Sequence, residues 1–106
     1  MSDISRTVPP EDCSSMPQVR AGVDAVDLAL VELLTRRFAY MSAAARIKAD
    51  RSAVRDEARK AQVLQNVKLA AASHDLPVDV IEQLWDQLVE ASIAYEYGHW
   101  DAQHAT

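Results

Sequence analysis

The sequence predicts an all-α protein. Three observations carry that prediction. Apolar residues recur at helical spacing over long stretches, nothing alternates with period two over a useful length, and only two glycines occur in 106 residues. After the first few residues Ala is the commonest residue and Leu, Arg, Gln and Glu are well represented, all good helix formers. The length fits one domain.

Residues 1–16 carry Pro9 and Pro10, with Pro17 just after, plus Ser and Asp, and no periodicity. They are expected to form a flexible N-terminal arm. Ser15 suits an N-cap with Pro17 near the first helical position, so helix 1 is expected from about Pro17 to Ala49, a span of roughly 45–50 Å. Its stripe runs Val19, Val23, Val26, Leu30, Leu34, Met41 and Ala44. Gly22 weakens the first turns without breaking them.

Asp50 to Val54 is polar and unperiodic, and reads as a connector. Helix 2 is expected from about Arg55 to His74, with Asp56 and Glu57 in its first turn and His74 near its end, each suiting the local pole of the helix dipole. Its modest stripe is Ala58, Val63, Val67, Ala70 and Ala71, with Leu64 beside it. Asp75-Leu76-Pro77 is a stop and a restart. Helix 3 is expected from about Val78 to Trp100, with Ile81, Leu84, Trp85, Leu88, Ser92, Tyr95 and His99 along one side. The helical domain is thus 17–100, and the tail 101–106 is expected to fray.

A helix of ~33 residues is too long to be covered by two shorter partners in so small a monomer, which leaves a large apolar patch. Dimerisation through helix 1 is the economical solution.

Composition excludes several classes. Net charge is −5 and no basic block exceeds two residues, which argues against nucleic acid or an anionic membrane as partner. Cys13 is the single cysteine, so no internal disulfide forms. The N-terminus has no apolar signal core and no segment approaches the ~20 apolar residues of a membrane span, so a cytoplasmic location is the expectation. His99 and His104 lack a helical metal spacing, and no glycine-rich phosphate loop or Ser/His/Asp pattern occurs. No metal and no cofactor are expected.

The functional clue lies in the stripe of helix 1. Continued by threes and fours it runs Leu34, Arg37, Met41, Ala44, Lys48, placing two cations at core-facing positions. A buried unpaired cation costs several kcal/mol, so each should be paired or should meet an anionic ligand. Arg37 and Lys48 share a face within about 20° and lie roughly 16 Å apart, with small Ala44 between them. The plainer reading is a snorkelling edge or an ion pair with a neighbouring helix. Arg36 points away and is solvated. Arg20 lies about 25 Å from Arg37, too far for both to hold one small ligand from a single copy of the helix. In an antiparallel dimer Arg20 of one chain approaches Arg37 of the other; otherwise it is a solvated charge. Arg59 sits near Asp56, and helix 3 offers Ser92 and Glu96, i and i+4 on one largely apolar face. Glu96 is then semi-buried, or simply an exposed or ion-paired glutamate.

The pattern VRAGVDAVDLALVELLTRRFAYMSAAARIK, then DEARKAQVL, then VIEQLWDQLVEASIAYEYGHW, resembles the all-helical chorismate mutase family over about Pro10 to Trp100. Arg20 followed by Val23-Asp24 and Val26-Asp27 matches the family's opening signature. PEDC (Pro10 to Cys13) and the final HW resemble its isochorismate-pyruvate lyase branch. The resemblance implies an intertwined homodimer binding a dianionic substrate, chorismate or isochorismate. Arg20 would cross the interface to bind one carboxylate, Arg37 would bind the other carboxylate region, and Arg59 would assist. Lys48 would hydrogen-bond the ether oxygen and a carboxylate, Ser92 would line the site, and Asp56 falls near an acidic position that contacts the ring hydroxyl.

Two departures stand out. Glu96 occupies a position where bacterial mutases and the lyase usually carry glutamine, although some fungal mutases resemble this chain in using glutamate. A glutamine amide donates to the ether oxygen, whereas a carboxyl must be protonated to do so. Lys60 stands where many mutases have glutamate. The resemblance implies chorismate mutase activity, with catalytic roles for Lys48, Glu96 and Arg37; isochorismate-pyruvate lyase is the alternative within the class. A third reading is a non-catalytic helical dimerisation module, which predicts Arg37 and Lys48 paired to acidic side chains.

Overall fold

The computed structural model describes residues 4–105. Among them are three α-helices: α1 (Met16–Ile47), α2 (Glu57–Ser73) and α3 (Val78–His104). Short 3-10 turns occur at Ile4–Arg6, Pro10–Asp12 and Arg51–Ala53. The described chain contains no strand, so the all-α expectation holds. It divides after Ala39 into two compact units.

In the first unit, Asp12 and Cys13 donate back to Pro9 and Pro10, closing the second 3-10 turn. Helix α1 then begins where the sequence places a cap. The Ser15 hydroxyl accepts from the Gln18 N–H at 3.4 Å, and the Gln18 side chain accepts from the Ser14 N–H at 2.7 Å. These reciprocal bonds satisfy two donors at a helix start. Along residues 16–39 the apolar stripe faces solvent: Val19, Val23, Val26 and Leu30 are all exposed, as are Leu28, Val31 and Leu33.

The second unit holds the core. Val54, Val89 and Ile93 are buried together, with Val63, Trp85, Tyr97 and Trp100 packed against them. Ala45 and Ala71, on the last turns of α1 and α2, are also buried. Val54 corrects the reading of 50–54 as a purely polar connector. The Arg51–Ala53 turn contacts α3 and is closed by the Val54 N–H on the Arg51 carbonyl, and the apolar Val54 side chain is buried in the core.

Helix α2 starts later than the spacing suggests. Asp56 is its N-cap rather than a first-turn residue, and its carboxylate accepts from the Arg59 N–H at 3.0 Å. The helix ends in a Schellman motif, with Leu76 N–H on the Ala71 carbonyl and Asp75 N–H on Ala72. That motif requires a left-handed residue, and Asp75 supplies it at φ 56°. Short polar side chains tolerate this region better than most.

Helix α3 continues past Trp100 to His104, where the sequence suggested fraying. His104 Nδ1 lies 2.9 Å from the Trp100 carbonyl and its ring stacks on the Trp100 indole, with centroids 4.0 Å apart. The buried face of α3 is also displaced from the expected stripe: Val89, Ser92, Ile93 and Glu96 are buried, whereas Leu84 and Tyr95 are exposed. Ala58 and Ala70 of α2 are likewise exposed.

Candidate active site

Lys48 and Glu96 form the centre of the candidate site. Lys48 lies one residue past the end of α1, its own N–H closing the last turn on the Ala44 carbonyl at 2.9 Å. Its Nζ donates to Glu96 Oε2 at 2.7 Å. Glu96 is 4% exposed, so the carboxylate is more deeply buried than the semi-burial expected of it. An ammonium has three N–H donors, of which this bond takes one. A short bond from a cation to a buried carboxylate is the strong, charge-assisted kind.

Ser92 sits one turn before Glu96 on α3 and is also buried; its hydroxyl donates to the Leu88 carbonyl at 2.6 Å. The buried polar pair Ser92 and Glu96 thus stands on the same helix face as Val89 and Ile93. On α1, Ser42 lies 3.3 Å from His99 Nδ1, a second polar link to α3. The Trp100 indole N–H donates to the Lys48 carbonyl at 3.1 Å.

Beside the site, an exposed network fastens α2 and its leading loop to α3. Arg55 donates to both Glu90 and Glu57, and Lys60 pairs with Glu90 at 2.8 Å and Asp86 at 2.9 Å. The Arg55 guanidinium first, and Lys60 second, hold the Glu90 carboxyl down to about 2. In turn Glu90, and after it Asp86, raise Lys60 above the usual lysine value. Lys60 therefore serves here as a link between helices. Arg51 binds both oxygens of Asp101, at 2.8 and 3.3 Å, and lies 4.4 Å from the centroid of the Tyr97 ring. The Arg51 pair lowers the Asp101 carboxyl.

The remaining expected site residues are distributed as follows. Arg59 is exposed and donates to Gln62 at 2.6 Å, while Asp56 is engaged as the α2 cap. Arg20 and Arg37 belong to the first unit, Arg20 exposed in the second turn of α1 and Arg37 half-buried. A non-catalytic module also predicts Lys48 paired to an acidic side chain, as it is to Glu96. Sequence reasoning missed Trp100 as a neighbour of Lys48. Trp85, Val89, Ile93, Glu96 and Trp100 recur by fours and threes, and that run was the signal available.

A lysine and a buried carboxyl at one helix end, with arginines elsewhere on α1, suit an anionic ligand rather than a metal or a covalent intermediate. The family model for chorismate mutase type II matches residues 19–97, and the chain belongs to that family. Among curated relatives, the isochorismate pyruvate lyase of Pseudomonas aeruginosa is 33% identical over 91 residues, covering 86% of this chain and 90% of that protein. The chain is accordingly an enzyme of the group that comprises chorismate mutases and isochorismate pyruvate lyases.

Proposed function

We propose that this protein is a chorismate mutase, converting chorismate to prephenate in a homodimer whose sites are shared between chains. Within the family to which the chain belongs, the observation that supports the reading is buried Glu96, 4% exposed, 2.7 Å from the Lys48 ammonium. In the rearrangement the ether C–O bond breaks ahead of C–C formation, so negative charge grows on the ether oxygen. A preorganised ammonium aimed at that oxygen stabilises the transition state more than the ground state. Glu96, when protonated, donates to the same oxygen. Arg37 and the partner's Arg20 bind the two carboxylates and hold the enolpyruvyl arm over the ring, with Arg59 and Ser92 lining the pocket and Asp56 near the ring hydroxyl. The reaction is an isomerisation and needs no nucleophile, base or metal.

The apolar stripe of residues 19–33, exposed in one chain, supports the dimer. So wide an exposed patch on a helix marks an interaction surface. The 25 Å or so between Arg20 and Arg37 along one helix supports a site completed by a second copy.

A second reading is isochorismate pyruvate lyase. The relative of that name and the PEDC sequence at Pro10 to Cys13 favour it. The same ether bond breaks, a ring hydrogen passes to the departing enolpyruvyl carbon, and the products are salicylate and pyruvate. Purified protein is incubated separately with chorismate and with isochorismate, and the products are identified. Prephenate from chorismate supports the mutase; salicylate with pyruvate from isochorismate, without prephenate from chorismate, replaces it by the lyase. Turnover of neither leaves the non-catalytic module.

A further inference from the structure

The last turn of α1 delivers Lys48 to Glu96, yet Lys48 itself lies outside the helix. A helix end leaves its final carbonyls without intrahelical partners, and each must find another donor. For Lys48 the donor is the indole of Trp100, 3.1 Å from the carbonyl oxygen. The chain leaves the helix here, with Asp50 already extended at φ −114° and ψ 134°. A lysine side chain has four rotatable bonds, so its ammonium is only as well placed as the main chain that carries it.

The donor is itself anchored. The Trp100 ring packs against the cluster of Val54, Val89 and Ile93, and it stacks on the His104 ring. Glu96 and Trp100 are one turn apart on α3, so a single rigid helix holds both the Lys48 ammonium and the Lys48 carbonyl. Three residues further along the chain, Arg51 is tied to α3 through both oxygens of Asp101 and the Tyr97 ring. The segment from Lys48 to Val54 is therefore fastened at its start, middle and end to one face of α3.

We propose that Trp100 is a positioning residue for Lys48, its indole N–H fixing the lysine main chain so that the ammonium meets Glu96 and the substrate. The proposal rests on the reading of Lys48 as a site residue. Its structural half is measurable without turnover.

Trp100→Phe keeps an aromatic ring and removes the N–H. Trp85→Phe is the control, since Trp85 packs on the same cluster. In the wild type, the indole N–H of Trp100 is expected to exchange with solvent more slowly than that of Trp85. The Lys48 Cε resonance, assigned by its loss in Lys48→Arg, should shift in Trp100→Phe and stay in place in Trp85→Phe. With an active wild type, Trp100→Phe should lower kcat about 10-fold with little change in KM, because small misplacements of a catalytic group act on the transition state. An unmoved Lys48 resonance overturns the proposal, as does equal loss of kcat in the two variants. If Trp100→Phe does not fold, rapid exchange of the wild-type indole proton still overturns it and protection supports it. An inactive wild type in which the Lys48 resonance still moves refutes the proposed function alone.

Discussion

Lys48 and Glu96 meet at 2.7 Å with unequal access to solvent, the lysine side chain 30% exposed and the glutamate side chain 5%. The asymmetry sets what each removal does to the fold. Taking away the cation strands a buried carboxylate, whereas taking away the carboxylate leaves a cation that can turn to water. Lys48→Met is expected to destabilise the protein by about 1–3 kcal/mol, below the range for a fully buried pair because the lysine is partly solvated. The double variant Lys48→Met/Glu96→Leu should recover part of that loss. Urea denaturation at fixed protein concentration measures both. Strict additivity of the two substitutions would show that the pair is not coupled.

The Arg55–Glu90–Lys60 network makes a prediction about acid stability. Glu90 is held down to about 2 against an ordinary 4.5, chiefly by Arg55 and then by Lys60. A carboxylate depressed in the folded state stabilises it above the unfolded value, and that contribution disappears as pH falls through the folded value. The wild type should therefore lose stability between about pH 4.5 and pH 2, and Glu90→Gln should show a shallower acid limb. Tm measured across that window for both proteins decides it. Parallel acid limbs would mean that the exposed network is screened and contributes nothing to folding.

The helix count, the Ser15 cap and the Asp75 stop were legible in the sequence because each follows from short-range chemistry: spacing, a cap hydroxyl, a proline. The register of α3 was less so. Leu84, Trp85, Leu88 and Val89 offer two adjacent apolar stripes. Which one is buried depends on where Val54 and Trp100 sit, a tertiary fact that no local pattern encodes. The same limit applies to the site. Spacing singled out Lys48 as a misplaced cation and Glu96 as a carboxylate on an apolar face, and it is the fold of the second unit, where the residue that follows α1 meets α3, that makes them partners. Trp100 looked like the last residue of a helix. The 3.1 Å bond to Lys48 became visible only with the chain folded.

Asp56 has two possible jobs, and one substitution separates them. As N-cap of α2 its carboxylate accepts from the Arg59 N–H. Asp56→Ala should cost about 1 kcal/mol of stability through the lost cap, and Asp56→Ser should restore most of it. If Asp56 also contacts the ring hydroxyl, Asp56→Ser will be stable yet raise KM several-fold. Equal KM in wild type and Asp56→Ser assigns the residue to the cap alone. Denaturation and steady-state kinetics on the same preparations make the comparison direct.

Glu96 is a carboxyl where the family resemblance implies glutamine in many members, and pH is the natural probe. A carboxyl can donate to the ether oxygen only while protonated, but a glutamine amide donates at any pH. kcat/KM is expected to decline as pH rises in the wild type, and the profile of Glu96→Gln should be flatter. Lys48 remains in both proteins, so any loss common to the two is not due to Glu96. A flat wild-type profile, or a Glu96→Gln profile that falls equally, would remove the proton-donor role.

The shared site is tested by mixing inactive chains. Arg20 and Lys48 would serve different halves of one pocket, Arg20 reaching across from the partner. Arg20→Ala and Lys48→Ala homodimers should each be nearly inactive. In a heterodimer one pocket carries both lesions and the other carries neither, so a randomly exchanged equal mixture, half of it heterodimer, should regain about one quarter of wild-type activity. Subunit exchange is verified with differently tagged chains. If exchange is complete and activity does not return, Arg20 and Lys48 do not act in pockets arranged this way. Monomers that retain wild-type activity would remove the need for a second copy. The quarter recovery is specific to the crossed arrangement. If both residues served one pocket from the same chain, the heterodimer would have one lesion in each pocket, and mixing would recover nothing.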